Sequence, residues 1–416
     1  MKNVIVLISF ALTSILLAQS LSMEECIDKT LQNHPDIKSF ELKISQSKKS
    51  YDSAFSDYLP QVNLQAQYNP IQTFVLPVNG SLRTEDDDSW SAGVFLKQKI
   101  WDFKKTSSKI KASKFDEDIS KLSLKEAQVI LVYKVKSLYL QMILQQEAIE
   151  VRKKDLEAKE AYYEQSKALV AQGLKTNADA SRFLSSVYGA KDDLAIAYAL
   201  YEKAKVSLSL YMGEEIQDDV YLENNLIKQD YDFNMNIEES VLNNNYQLKI
   251  DSKSINKNML LHKSARASHY GSLDGFASYN HINSLNDYDS KLVGVSLIVP
   301  IYTGGRTSAD EQKAQISTQI SKQVKASKIL SIKDDLSSLV IDIQRYDNTI
   351  LAKKSQINAA NESRKVLEAR YKEGLTTYIE VLDIITVVLN SELGLLETYY
   401  LKSMAINKIE YLEGRI

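Results

Sequence analysis

The chain has 416 residues, of which 51 are basic and 54 acidic, with 13 glycines, 5 prolines and a single cysteine. The near-neutral charge balance gives no basic patch of the kind that binds nucleic acid, and one cysteine excludes both an internal disulfide and a cysteine-based metal cluster. So few helix-breaking residues in so long a chain predict few, long elements.

The first residues have the pattern of an export signal. Lys2 precedes an apolar run from Val4 to Leu17, and small residues suitable for cleavage follow at positions 18–20. The run of about 14 residues is shorter than the ~20 that a membrane-spanning helix needs. We therefore predict a signal peptide at residues 1–20. No later run is long or apolar enough for a transmembrane helix, so any membrane insertion must use strands.

The mature chain is predicted to be a duplication. A Gly-Leu pair at Gly173 recurs at Gly374, and the same offset of 201 residues (374 − 173) links Gly93 to Gly294 and Trp101 to Tyr302. We predict a first repeat at residues 21–213, a polar equatorial connector at 214–236 and a second repeat at 237–416.

The first repeat begins with a helical pattern from Glu24 to about Tyr58, which Pro35 interrupts. The period then changes to two, which predicts a strand hairpin at about 60–102. Residues 69–90 between its strands contain two prolines, Asn-Gly and four consecutive acids, and we interpret them as an exposed loop. One face of the two strands is apolar, formed by Val62, Leu64, Ala66, Tyr68, Ala92, Val94, Leu96 and Ile100.

A long helix from about Lys104 to Gln172 follows, which at 1.5 Å per residue would be about 100 Å long. It turns at the tip glycine Gly173, and a second helix returns to about Tyr211. Apolar residues recur every seven positions, a pattern typical of helices that pack side by side. These are Val135, Met142, Ile149, Leu156, Tyr163 and Val170.

The second repeat has the same order of elements. A strand hairpin is predicted at about 271–303, followed by a long helix, a tip at Gly374 and a returning helix that ends at Gly414. The seam of this long helix contains Leu336, Ile343, Ile350, Ile357 and Tyr371, with Arg364 as a polar interruption.

Strands of this length with one apolar face suit a tilted transmembrane barrel. Four strands are too few to close a barrel, and an open sheet edge cannot face lipid, so several copies would have to share one barrel. Periodicity alone leaves open a pair of soluble hairpins packed on helices. The corresponding alternative function is a periplasmic coiled-coil adaptor or scaffold without membrane-embedded strands.

Four motifs make the whole mature chain resemble the TolC family of outer-membrane efflux channels. They are Leu31-x-Asn33-x-Pro35, Tyr58-Leu59-Pro60, Pro300-Ile301-Tyr302-x-Gly304-Gly305, and Arg370-Tyr371-x-x-Gly374 followed by Val381-Leu382-Asp383.

The resemblance implies a mainly α fold, with long helical hairpins repeated twice to form an α-barrel. Four strands per chain would contribute to a twelve-stranded barrel in a homotrimer. It also implies an outer-membrane location extending into the periplasm, and a passive exit duct in a tripartite efflux or type I secretion system. The partners would be a periplasmic adaptor (membrane fusion) protein, an inner-membrane efflux pump or ABC exporter, and outer-membrane lipid.

The resemblance also assigns residues to a pore gate. Acidic rings fall on Glu380 and Asp383, and the closing tie falls on Tyr371 and on Asp179 of the neighbouring hairpin. The arginine usual after the second tip glycine is replaced by Thr376. Three copies of Glu380 and Asp383 at a narrow mouth would repel one another and favour cations. The alternative is an ordinary helix start, where acids suit the helix dipole.

The tip residues Gly173-Leu174 and Gly374-Leu375 are predicted to dock an adaptor's helical hairpin, which explains an apolar leucine at a solvent-exposed turn better than capping alone. The alternative is a simple helix cap. No Gly-x-Ser-x-Gly, P-loop or zinc-type histidine spacing occurs. The sequence therefore predicts no enzyme, no metal site and no cofactor.

Overall fold

The computed structural model describes residues 20–217, 220–223, 226 and 236–416. The predicted signal peptide lies outside the described residues apart from Ser20. Positions 218–219, 224–225 and 227–235 of the predicted connector also lie outside them.

Long helices dominate the described chain. In chain order the elements are β1 (Ser20–Leu21), α1 (Met23–Asn33), α2 (Pro35–Ser56), β2 (Gln61–Val78), β3 (Ser81–Trp101), α3 (Lys105–Ala171), α4 (Asn177–Met212), β4 (Tyr221–Leu222), α5 (Ile237–Asn244), α6 (Tyr246–Ala267), β5 (Ser272–Asn283), β6 (Tyr288–Ile298), α7 (Arg306–Lys372) and α8 (Tyr378–Leu412). The expected mainly α fold with four longer strands is confirmed, and α3 and α7 are each 67 residues long.

The chain divides into two compact units. The first contains α1, α4, α8 and the C-terminal parts of α3 and α7. The second contains α2, α6, β2, β3, β5, β6 and the N-terminal parts of α3 and α7.

The four longer strands form one antiparallel sheet in the order β2-β3-β5-β6. Its register places Val62, Leu96, Ala277 and Val293 in one row across all four strands. The predicted apolar face is therefore continuous, and it is open to solvent in the isolated chain, with Val62 62% and Val293 83% exposed. The two outer strands, β2 and β6, leave unpaired edges in this sheet.

The interpretation of residues 69–90 as a loop was wrong. Strands β2 and β3 continue through this region as a paired ribbon, with Gln72 opposite Asp87 and Val78 opposite Ser81. Only Asn79 and Gly80, both with positive φ, form the turn. Prolines are tolerated here because β2 is an edge strand, and the acids are accepted because the ribbon is exposed.

The second hairpin is shorter than predicted. Strand β6 ends at Ile298 rather than near residue 303, and Ile301 is 98% exposed. Pro300 has no N–H to donate to a strand ladder, which accounts for the early end.

The predicted seam of α3 is confirmed where α1 and α4 contribute to the same core. Val135 and Met142 are fully buried there, together with Tyr139, whose hydroxyl donates to the carbonyl of Leu21 at 2.8 Å. Contrary to the expectation from sequence, α3 is long and apolar enough to cross a membrane by composition. However, 56% of its most apolar 18-residue window is buried inside the protein. Packing in this core accounts for the apolar character.

Near the tip the buried side of α3 differs from the prediction by one residue. Tyr162 and Leu169 are buried, whereas the predicted Tyr163 and Val170 are only half-buried. The reason is that residues of α4, α7 and α8 pack together on this side of α3, which a two-helix seam does not anticipate.

Candidate functional site

The first Gly-Leu tip ends α3 with a left-handed glycine. Gly173 has φ +73°, and the N–H of Leu174 donates to the carbonyl of Leu169 at 3.0 Å. A second bond runs from the N–H of Gly173 to the carbonyl of Val170 at 3.0 Å. These two bonds are the Schellman arrangement that satisfies the last carbonyls of a helix.

The second tip repeats the same geometry at the end of α7. Gly374 also has φ +73°, and the N–H of Leu375 donates to the carbonyl of Arg370 at 2.8 Å. Leu174 is 57% exposed and Leu375 67% exposed. The tips are thus both helix caps and carriers of an exposed leucine, so the two interpretations of these residues are compatible.

Two of the predicted gate carboxylates cap helices. Asp179 accepts from the backbone N–H of Thr176 at 2.9 Å and from its hydroxyl at 3.0 Å, which completes a capping box at the start of α4. Glu380 forms the equivalent box with Thr377, whose N–H donates at 2.9 Å. Each reciprocal pair satisfies donors that the first turn of a helix leaves open.

Thr376 adds a further bond to Glu380. Its side chain is buried, and its hydroxyl donates to Oε2 of Glu380, the same oxygen that caps Thr377. The Thr376 hydroxyl, followed by the Thr377 backbone N–H, lowers the pKa of Glu380 from its ordinary value of 4.5. Glu380 is therefore a negatively charged cap at neutral pH. Asp383 lies one turn further along α8 and is exposed.

Tyr371 is fully buried in an aromatic cluster. Its ring centroid lies 5.6 Å from that of Phe183 on α4 and 6.5 Å from that of Tyr162 on α3, both in edge-on geometry. Burial raises the pKa of Tyr371, the Ser166 hydroxyl lowers it, and the charge of Asp179 raises it further. The structure thus brings Tyr371 near Asp179, while the hydrogen bonds of Asp179 within the described chain go to Thr176.

The sequence interpretation missed one residue of this site, Lys175. Its Nζ lies 2.8 Å from the carbonyl oxygen of Thr376 and 3.4 Å from that of Gly374. It also lies 5.3 Å from the centroid of the Tyr371 ring. The repeat offset of 201 residues pairs Lys175 with Thr376 (376 − 175), so a comparison of the two tips could have shown that the first carries the cation and the second does not.

Within the described ranges, no group of three His, Cys, Asp or Glu side chains has an arrangement that could hold a metal ion.

Comparison with known proteins agrees with this architecture. The profile of the family described as outer membrane efflux protein matches residues 26–214 and 239–407. Outer membrane protein TolC of Vibrio cholerae serotype O1 is 23% identical over 388 residues, covering 87% of this chain and 83% of that protein.

Solved structures of two outer-membrane proteins have the same fold. VceC of Vibrio cholerae superposes with a TM-score of 0.83 at 14% identity, covering 94% of this chain and 96% of the other. The open state of the MtrE outer membrane channel of Neisseria gonorrhoeae superposes with a TM-score of 0.80 at 18% identity, covering 94% and 89%.

Duplicated long hairpins, a four-stranded sheet with an exposed apolar face and paired Gly-Leu tips define a class of outer-membrane channel. The chain belongs to the outer membrane efflux protein family, because the family profile spans both of its repeats. It is an outer-membrane protein, and its family is one of channels rather than of enzymes.

Proposed function

We propose that three copies of this chain form a passive exit duct of a tripartite efflux or type I secretion system. In the trimer, the four strands of each copy complete a twelve-stranded barrel, and the long helices line a periplasmic tunnel. A periplasmic adaptor protein connects this duct to an inner-membrane efflux pump or ABC exporter, which supplies the energy.

The proposal rests on the exposed apolar face and the unpaired edges of the four-stranded sheet. Its apolar face extends across all four strands, and residues such as Val295, which is 68% exposed, have no cover within the chain. An exposed apolar face of this extent needs lipid or another protein against it. The edges of β2 and β6 cannot face lipid unpaired. Pairing of β6 in one copy with β2 in the next removes both edges at once.

The polar face of the same sheet suits the inside of an aqueous barrel. On this face, one row consists of Gly294, Phe276 and Lys97. The next row on the same face contains Lys99, Asp274 and Ser296. Strands that alternate apolar outside with polar inside are typical of transmembrane barrels.

The tips support the adaptor interaction. Leu174 and Leu375 are exposed at turns whose backbone is already satisfied internally, so their side chains are available for contact. An adaptor that presents apolar grooves between helices would cover both leucines. We also propose that Glu380 and Asp383 form acidic rings at the tunnel end, where capping holds the Glu380 carboxylate in a fixed orientation.

Two measurements on the extracted protein test the proposal. The assembly should migrate as a heat-modifiable trimer on a gel, and protease should spare residues 60–102 and 271–303 in lipid vesicles. A monomer in mild detergent, with both hairpins cleaved in vesicles, would contradict a shared barrel and favour a periplasmic scaffold instead.

A further inference from the structure

We propose that Lys175 is the clasp that holds the second hairpin tip against the first within each chain, and that this contact must break for the tunnel end to open. The inference rests on the proposed exit duct and adds a regulating residue to it. The Lys175 ammonium contacts two backbone carbonyls of the second tip and the ring of Tyr371.

The clasp is made to backbone, not to a partner carboxylate. The ammonium lies 2.8 Å from the carbonyl oxygen of Thr376 and 3.4 Å from that of Gly374. Both carbonyls belong to the second tip, the connection between Lys372 at the end of α7 and Thr377, the N-cap of α8. Lys175 therefore binds the backbone of the second tip itself.

The ring of Tyr371 provides the third contact of the ammonium. Nζ lies 5.3 Å from the ring centroid, within the range of a cation–π interaction. The ring cannot turn freely, because Phe183 and Tyr162 pack against its edges and the residue is fully buried. Lys175 is consequently positioned by two helical hairpins together, and movement of α7 and α8 away from α3 and α4 would remove all three contacts.

The nearby carboxylates of Asp179 and Glu380 accept hydrogen bonds from threonines at the helix starts. Asp179 is bonded to Thr176 at the start of α4, and Glu380 is bonded to Thr376 and Thr377 at the start of α8. The hydroxyl of Thr376 donates to Glu380, and the carbonyl of Thr376 accepts from Lys175. The first tip thus supplies the cation that residue 376 of the second tip lacks.

Single-channel recording of the full-length protein in planar lipid bilayers tests the clasp. Lys175→Met keeps the length of the side chain and removes its charge, whereas Lys175→Arg keeps the charge. Lys167→Met is the matched control, because Lys167 is an exposed lysine near the end of α3, 3.0 Å from Glu164 of the same helix. We expect Lys175→Met to raise the ratio of open to closed time roughly tenfold, as for loss of one charge-assisted hydrogen bond. We expect Lys175→Arg and Lys167→Met to behave as the unaltered protein.

The possible outcomes separate the clasp from the exit duct. If the unaltered protein forms no channels, the proposed function fails. If it forms channels and Lys175→Met opens no more often than Lys167→Met, the clasp alone is refuted.

A second measurement covers a variant that does not assemble. In the unaltered trimer, acetylation of the accessible lysines should speed backbone hydrogen exchange at the amides of residues 374–376, because it removes the charge of Lys175. Lys175→Arg protein, acetylated in parallel, is the control. Equal acceleration in both proteins would also refute the clasp.

Discussion

Arginine at Val293 is expected to disrupt membrane assembly through the lipid-facing side of the sheet. Val293 is the sixth of the eleven residues of β6 and is 83% exposed. It lies about 17 Å along the strand from either end, so an arginine there cannot easily reach the headgroups. An arginine facing lipid near the bilayer midplane costs about 2–4 kcal/mol. The folding equilibrium of each chain should therefore fall roughly 30- to 900-fold.

The neighbouring residue provides the control. Leu292 belongs to the same strand and the same depth, but it lies on the opposite face, in a row with Ser278 and Phe95. The assay is folding into lipid vesicles as a function of urea, followed by the heat-modifiable band. Val293→Arg should shift the midpoint to lower urea, and Leu292→Arg should shift it little. Equal shifts, or a larger shift for Leu292→Arg, would refute the assignment of the two faces.

Three further predictions concern the tips. Gly374→Ala forces a side chain to φ +73° at an open position and should cost about 1–2 kcal/mol, seen as ~5- to 30-fold faster amide exchange at the tip. Gly189→Ala, equally open but without positive φ, should not show this loss. The lowered pKa of Glu380 means that its cap is complete above pH 4.5 and is lost as the pH falls through the lowered value. Channel opening should therefore rise only at that acidic end, and a Glu380→Gln channel that keeps the rise would contradict the cap. Replacing Glu380 and Asp383 together by Gln and Asn should weaken block by divalent cations, and unchanged block would remove both from the pore.

The sequence predicted the repeated architecture well because its signals are local. A glycine with positive φ is a common ending for a helix before a tight turn, and Gly173 and Gly374 both have this conformation. Alternation of apolar and polar residues correctly predicted which residues share one face of the sheet, including Val62 and Val293.

The ribbon at residues 69–90 could not be predicted in the same way. Its prolines and consecutive acids are typical of loops. They are compatible with strands because the prolines belong to the edge strand β2 and the acids lie in a part of β3 that pairs only with β2. Whether a strand lies at the edge or in the centre of a sheet depends on the whole fold and cannot be read from the segment itself. The alternation of period two also weakens there, so local pattern and final structure disagree.

The local capping positions at the tips could be predicted from the sequence, but the contacts between the tips could not. The positions of Glu380 and Asp179 at helix starts follow from the Thr-x-x-acid spacing of a capping box. The contact from Lys175 to the carbonyl of Thr376 joins residues 201 positions apart, and backbone acceptors leave no trace in the side-chain pattern. The contact depends on the fold, which also places the Lys175 ammonium near the Tyr371 ring.

In the proposed assembly, the sheets of three copies close one barrel around an exit duct. Electron cryomicroscopy of the full-length protein in lipid nanodiscs tests it most directly. We predict a threefold assembly in which β6 of each copy pairs with β2 of the next and the row containing Val62 and Val293 faces lipid. A particle in which these strands form a sheet within one subunit, away from the lipid, would contradict the account.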